Sequence, residues 1–176
     1  MGSYINIGLI CDKRDFKEKV ISLVHSLKGF SCKKIEYPTD EKYSGWIRNS
    51  LEQIGIVAAI DYCLKYSMAK ITGDFILGDY EIKDVIFQVE PYTDHANCFL
   101  IEMPEQQNPI FEDIDKAEKV ILSFLKEVSG FGFSKGFCDS EAGAEDKCGY
   151  AISVEYIPSA NIILQSWKID GFTSRE

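Results

Sequence analysis

The sequence predicts an α+β fold in which two to three helices pack on one face of a mostly antiparallel sheet. Apolar and polar residues alternate over 80–90 and 96–103, and this period of two is typical of strands with one buried face. Over 109–128 the apolar residues instead recur at helical spacing. Hydrophobic residues make up 45% of the chain and charged residues 27%, which is the balance of a folded globular protein.

The first elements follow from caps and apolar patterns. Residues 3–11 are rich in β-branched side chains and predict a buried strand. Asp15, with Glu18 three residues later, predicts the start of a helix, and Gly29 fits the left-handed conformation after its end. Residues 30–37 then predict a second strand.

The next segment is less regular. Residues 38–45 are polar and turn-prone, and the apolar pattern that begins at Trp46 does not decide between helix and strand. A helix is predicted from Ser50 to about Tyr66, although Gly55 disfavours it by about 1 kcal/mol relative to alanine. Residues 69–77 predict the strand that precedes the two alternating segments.

The second half centres on the 109–128 helix. Asn108 is the predicted cap, Pro109 suits the first helical position, and Gly130 is the predicted end. Strands are predicted at 131–138, 149–157 and 161–169. Each half thus contains a strand, a helix, a strand and a hairpin, so we expect one compact domain over 1–176, in which a degenerate internal duplication is conceivable.

The charge is unevenly distributed. The net charge is -9, with 11 Lys/Arg against 8 Asp/Glu in residues 1–72 and 8 against 20 in residues 73–176. Such a field repels nucleic acid and anionic lipid, and it favours a protein partner with a basic surface or serves solubility alone. The longest apolar run, 54–60, is too short to cross a membrane.

Six scattered cysteines with apolar neighbours predict buried free thiols in a reducing compartment. Their even number leaves a disulfide framework open. The amino-terminal apolar stretch follows no basic residue and stops at Asp12, so a secretory signal is not expected. These observations together predict a cytoplasmic location.

No catalytic, cofactor or metal residues are expected. The glycines of segment 130–136 follow a helix and precede a strand, which is the wrong context for a phosphate loop. His95 and Cys98 would be only half of a zinc site, and three residues apart on a strand they would point to opposite faces. The common hydrolase and kinase motifs are also missing from the sequence.

The candidate partner-binding residues lie in an acidic segment, 138–148. Asp139, Glu141, Glu145 and Asp146 stand here among glycine and alanine, so a flexible loop is predicted. Its carboxylates would steer association with a basic partner and hydrogen-bond to its arginines and lysines. The alternative interpretation is a hydrated loop without a binding role.

The build of the chain resembles the immunity proteins that protect bacteria from their own polymorphic toxins. The resemblance is carried by segment 98–104, the helix through Val128, the Phe131-Gly-Phe motif and the acids from Asp139 onward. It implies a non-enzymatic protein that neutralises a toxin by stoichiometric binding. Two alternatives stay open: a small-molecule binder or enzyme with a pocket using His95, Cys98 and Trp46, and an oligomeric structural protein.

Overall fold

A computed structural model describes residues 4–140, 153–165, 167–169 and 172–174 of the 176-residue chain. The strands in chain order are β1 (Tyr4–Asp12), β2 (Ser31–Pro38), β3 (Trp46–Asn49), β4 (Lys70–Leu77), β5 (Tyr80–Pro91), β6 (Ala96–Pro104), β7 (Lys135–Ser140), β8 (Ser153–Ile157), β9 (Ile162–Gln165), β10 (Trp167–Ile169) and β11 (Phe172–Ser174). The helices are α1 (Phe16–Ser26), α2 (Leu51–Lys65) and α3 (Ile114–Val128). The predicted α+β class is therefore confirmed.

Nine of these strands form one sheet in the order β3-β2-β4-β5-β6-β1-β7-β8-β9, and β10 pairs with β11. All of the described pairings are antiparallel. The strand–helix–strand unit β1-α1-β2 spans four strand positions, whereas β6-α3-β7 spans two. The internal duplication stays a prediction, since the two units cross the sheet differently.

The three helices share one hydrophobic core with alternate residues of the sheet. The core takes residues of β4 such as Ile71, Phe75 and Leu77, whose neighbours along the strand are only partly buried. This alternation is the period of two that the sequence predicted. The helices lie on the face that these residues define, which we call the first face, and the opposite side is the second face.

The start of α3 differs from its prediction. Residues Pro109–Glu112 form a separate 3₁₀ turn, and Asp113 caps α3 by accepting a hydrogen bond from the Lys116 amide at 3.1 Å. Asn108 does not cap a helix with its side chain, because that side chain is buried and bonded elsewhere. Pro109 does stand at the first position of the turn, as its missing N–H favours.

Two glycines act differently from expectation. Gly55 lies within α2 at φ 74° and ψ 161°, so it kinks this helix rather than merely weakening it. After α3, Ser129–Phe131 form another 3₁₀ turn, and Gly132, at φ 89°, takes the left-handed position that was predicted for Gly130. The strand that follows, β7, therefore begins later than predicted.

Gly8 in β1 marks a close approach on the second face, where it pairs with Phe137 of β7. A Cβ atom at Gly8 would overlap the Phe137 ring. We expect Gly8→Ala to destabilise the protein by about 1–3 kcal/mol, because the Phe137 ring has to leave its position over Gly8 to make room for the added methyl group. Urea denaturation would measure this loss.

Gly130→Ala is the matched control for this substitution. No atom lies within 4 Å of the Cβ position at Gly130, and the residue has no left-handed φ. The free energy of unfolding of the Gly130→Ala variant should therefore differ from that of the unsubstituted protein by no more than about 0.5 kcal/mol. Equal effects at the two glycines would contradict the assigned contact between Gly8 and Phe137.

None of the helices in the described part of the chain combines the length and the hydrophobicity that a bilayer span requires.

Candidate protein-binding surfaces

The predicted partner-binding residues fall into two groups. Asp139 lies inside β7, half-buried, and is paired with Asn6 of β1 and Ser153 of β8. It is thus a strand residue on the second face rather than part of a flexible loop. Glu141, Glu145 and Asp146 lie outside the described residues, so their predicted role stays a prediction.

The residues of the alternative pocket do not converge. His95 is exposed in the turn before β6, where its carbonyl accepts a hydrogen bond from the Lys13 amide at 2.9 Å. Cys98 is buried in β6, and Trp46 belongs to β3, four strand positions away in the sheet. Strands lie about 4.8 Å apart, which separates Trp46 from Cys98 by roughly 19 Å.

Burial also disfavours the thiolate form of the cysteines. Burial, followed by the charge of Glu90, raises the pKa of Cys98 to about 12. Burial likewise raises the pKa of Cys63 to about 12 and that of Cys11 to about 11. The five cysteines in the described ranges are free, and only Cys32 among them is not fully buried. The prediction of buried free thiols is confirmed for four of them, whereas Cys32 is free but only half-buried. Cys148 lies outside the described residues.

An acidic groove of about 360 Å³ opens where β5 begins, beside the 3₁₀ turn and the first turn of α3. We define it by three exposed carboxylates, those of Glu81, Glu112 and Asp113. The apolar parts of its wall come from Tyr80 and Pro109. It is thus a concave surface that offers several hydrogen-bond acceptors for a basic side chain.

Asn108 builds this groove by tying the 3₁₀ turn to β5. Its Oδ1 accepts a hydrogen bond from the Lys83 amide at 2.9 Å, and its Nδ2 donates to the Pro104 carbonyl at 2.7 Å. The side chain is 1% exposed. Because its polar atoms are satisfied by backbone groups of two different strands, Asn108 fixes Glu112 beside Glu81.

Lys116 already places a cation against the groove. Its Nζ lies 5.0 Å from the centroid of the Tyr80 ring. The neighbouring Tyr80, and then the charge of Asp113, raise the pKa of Lys116. The groove therefore stabilises an ammonium group, as aromatic faces and carboxylates do.

A second polar cluster surrounds Glu36 on the second face of the sheet. This carboxylate is only 8% exposed, and three cations contact it: Arg48 Nε at 2.7 Å, Lys34 Nζ at 3.4 Å and Lys70 Nζ at 3.5 Å. Arg48 and Lys70 are its direct neighbours across β3 and β4. The cluster borders a groove of about 410 Å³ that includes Trp46.

This cluster makes stability depend on pH. Burial alone would raise the pKa of Glu36, but the charges of Lys70, Lys34 and Arg48 outweigh it and hold the pKa below its ordinary value. A carboxyl with a lowered folded pKa stabilises the fold above its unfolded pKa of about 4.3, and that contribution disappears as pH falls through the folded value.

We expect Glu36→Gln to cost about 1–3 kcal/mol at neutral pH, because three cations lose their counter-charge. The difference from the unsubstituted protein should shrink at acidic pH, as the pH falls through the lowered folded pKa of Glu36 and this carboxyl itself becomes neutral. Urea denaturation at neutral and at acidic pH measures it, with Glu41→Gln at an exposed position as the control. A pH-independent difference would be inconsistent with the charge-based account.

The chain matches no protein-family model, and searches of curated proteins and of solved structures found no significant match. The class is therefore given by the fold alone: an α+β protein whose described residues form a nine-stranded antiparallel sheet, a two-stranded sheet and three α-helices.

The sequence around the acidic groove predicts a helix start and does not reveal the surface. Glu112, Asp113 and Asp115 fit the amino-terminal end of a helix, where its dipole favours acids. Their proximity to Glu81 depends on the buried Asn108, whose role as a tether has no sequence signature. A buried asparagine before Pro109 reads from sequence as a helix cap instead.

Proposed function

We propose that the chain is a non-enzymatic protein that binds a protein partner with a basic surface. More specifically, we propose an immunity protein that neutralises a cognate bacterial toxin in the cytoplasm by stoichiometric binding. The resemblance in sequence build motivates this assignment. The acidic groove is the observation that supports it.

The groove supports the proposal because its chemistry suits an arginine or lysine of a partner. Glu81, Glu112 and Asp113 are exposed, and they converge on a concave surface with an aromatic wall. Arginine is enriched at binding hot spots, where a pocket removes it from water. Toxins that act on nucleic acid carry basic clefts, so a nuclease toxin fits this surface best.

The remaining acids would add long-range attraction. Residues 73–176 carry 20 of the 28 Asp/Glu. Charges outside the contact mainly accelerate the encounter with an oppositely charged partner. In this proposal Asp139, Glu141, Glu145 and Asp146 contribute to that field, whereas the groove makes the contact.

Coexpression in a bacterial host tests the function. Toxin domains encoded beside the gene would be expressed with and without this chain, and we expect one of them to stop growth unless the chain is present. The two proteins should then copurify as a one-to-one complex. Failure to protect against every neighbouring toxin, together with stabilisation by a small metabolite, would support the pocket alternative instead.

A pair of charge reversals links protection to the groove. Glu81→Lys with Glu112→Lys should abolish protection, because two of the three carboxylates of the groove would become cations. Glu18→Lys with Glu41→Lys is the matched control, since it changes the net charge equally at exposed positions outside the groove. If the variant with Glu81→Lys and Glu112→Lys still protected the host, the interface would lie outside the groove.

A further inference from the structure

The outer edge of β3 carries backbone groups that β2 does not use. The Thr39 amide donates to the Gly45 carbonyl at 2.9 Å, and in the same register Pro38 pairs with Trp46 and Glu36 with Arg48. Opposed residues in an antiparallel ladder alternate between hydrogen-bonded and non-hydrogen-bonded pairs. The N–H and C=O groups of Trp46 and Arg48 therefore point away from β2.

β3 is also the end of the sheet, since within the described ranges it pairs only with β2. Trp46 and Arg48 lie two residues apart, so their side chains share the second face, and Ile47 between them points to the first face. Trp46 is 44% exposed and the Arg48 side chain is 73% exposed. The edge thus presents an aromatic ring and a guanidinium side by side.

This edge is complementary to itself. In an antiparallel pairing centred on Ile47, Trp46 lies opposite Arg48 of a second copy, and Arg48 lies opposite Trp46 of that copy. Both are hydrogen-bonded pairs, because the backbone groups of both residues point outward, so four backbone hydrogen bonds form. Arg48 Nε lies 2.7 Å from Glu36 on the β2 side, and the exposed part of the same guanidinium would meet the Trp46 ring of the other copy in two cation–π pairs. Two Ile47 side chains would meet on the first face.

The surroundings of the edge favour a second copy as well. Tyr43 is 39% exposed, and its ring lies 6.3 Å from that of Trp46. This ring adds apolar surface beside Trp46 that a second copy can cover. Around Glu36 three cations surround one carboxylate, so this part of the surface is locally positive although the net charge of the chain is -9.

We propose that the chain forms a symmetric homodimer through antiparallel pairing of the two β3 edges, which joins the nine-stranded sheets into one. This proposal is independent of the proposed function. Gln88 of β5 lines the same groove as Trp46 and Arg48, and Glu81 of the acidic groove is seven residues from it along β5. β3 lies three strand positions from β5. From strand spacings, the acidic groove is about 25 Å from the dimer edge, so both surfaces can be occupied together.

Sedimentation equilibrium of the full chain tests the dimer. At about 100 µM we expect a mass twice that of the 19.9 kDa chain. Trp46→Arg places two guanidinium groups opposite each other in both pairs, so it should weaken dimerisation at least about tenfold. Circular dichroism would confirm that this variant still folds.

The exchanged double variant, Trp46→Arg with Arg48→Trp, restores an aromatic ring opposite a guanidinium in both pairs and should recover the dimer. If the chain is monomeric at about 100 µM, the proposal is overturned. The β3 edge would then be a site where a strand of another protein can pair. A dimer that persists in Trp46→Arg would place the contact elsewhere. A double variant that folds but stays monomeric would exclude the register centred on Ile47.

Discussion

Association with the proposed toxin partner is expected to slow about tenfold or more at low salt when Glu81→Gln, Glu112→Gln and Asp113→Asn are combined. These carboxylates line the acidic groove that we propose as the site for a basic side chain, so their loss would remove both attraction at a distance and hydrogen bonds at contact. Asparagine retains an oxygen that can cap α3 in place of Asp113. Stopped-flow mixing at two salt concentrations would measure the rates.

The control variant carries the same chemical changes outside the groove: Glu18→Gln, Glu41→Gln and Asp94→Asn, all at exposed positions. It alters the net charge equally, so its association rate reports only the overall field. We expect a smaller slowing, which disappears at high salt as screening grows. If the two triple variants behaved alike, the groove would have no special role and net charge alone would steer the encounter.

The largest effect on stability is expected for Phe87→Ala, at about 3–5 kcal/mol. Phe87 is 1% exposed in β5, and its ring lies 5.6 Å from that of Phe30, 6.1 Å from Phe75 and 5.9 Å from Phe99. Truncation removes the shared neighbour of three rings on different strands or turns, and close packing prevents full collapse of the cavity. Urea denaturation gives the change in unfolding free energy.

Tyr92→Ala provides the control, since Tyr92 is 48% exposed just after β5. Removing this ring should change the free energy of unfolding by no more than about 0.5 kcal/mol. If Phe87→Ala lowered the free energy of unfolding by a similarly small amount, packing of the aromatic cluster would not stabilise the association of β4, β5 and β6 in the core.

The alternation of apolar residues predicted this core well. Val85, Phe87 and Val89 are all buried in β5, as are Phe99 and Ile101 in β6. In a strand with a period of two, the only open question is which face of the sheet the apolar side chains occupy. Because one face is buried under the helices, the apolar side chains lie on that face. Local pattern and tertiary structure agree at these positions.

Strand order could not be predicted in the same way. β1 occupies an inner position between β6 and β7, although about 80 residues or more separate it from either along the chain. Hairpins such as β4–β5 follow from short turns, whereas such distant pairings depend on burial summed over the whole sheet. The short strand β3 was ambiguous for a related reason, because four residues show too little periodicity.

The candidate binding surface was only partly predictable. The excess of acids in the second half is visible in the sequence, and it indicated a basic partner. The sequence placed the partner-binding residues in the segment from Asp139, because acids beside small residues predict an exposed loop, and for Glu141, Glu145 and Asp146 this stays a prediction. The acidic groove is a separate candidate that combines Glu81 with Glu112, which are brought together by hydrogen bonds of Asn108 to the backbone of β5 and β6. Those contacts depend on the fold.

Hydrogen–deuterium exchange of the chain, alone and bound to the proposed toxin partner, tests the central claim most directly. If the acidic groove receives a basic surface of the toxin, the amides of 79–83 and 109–116 should exchange more slowly in the complex. Protection confined to other segments, with these two unchanged, would contradict the account.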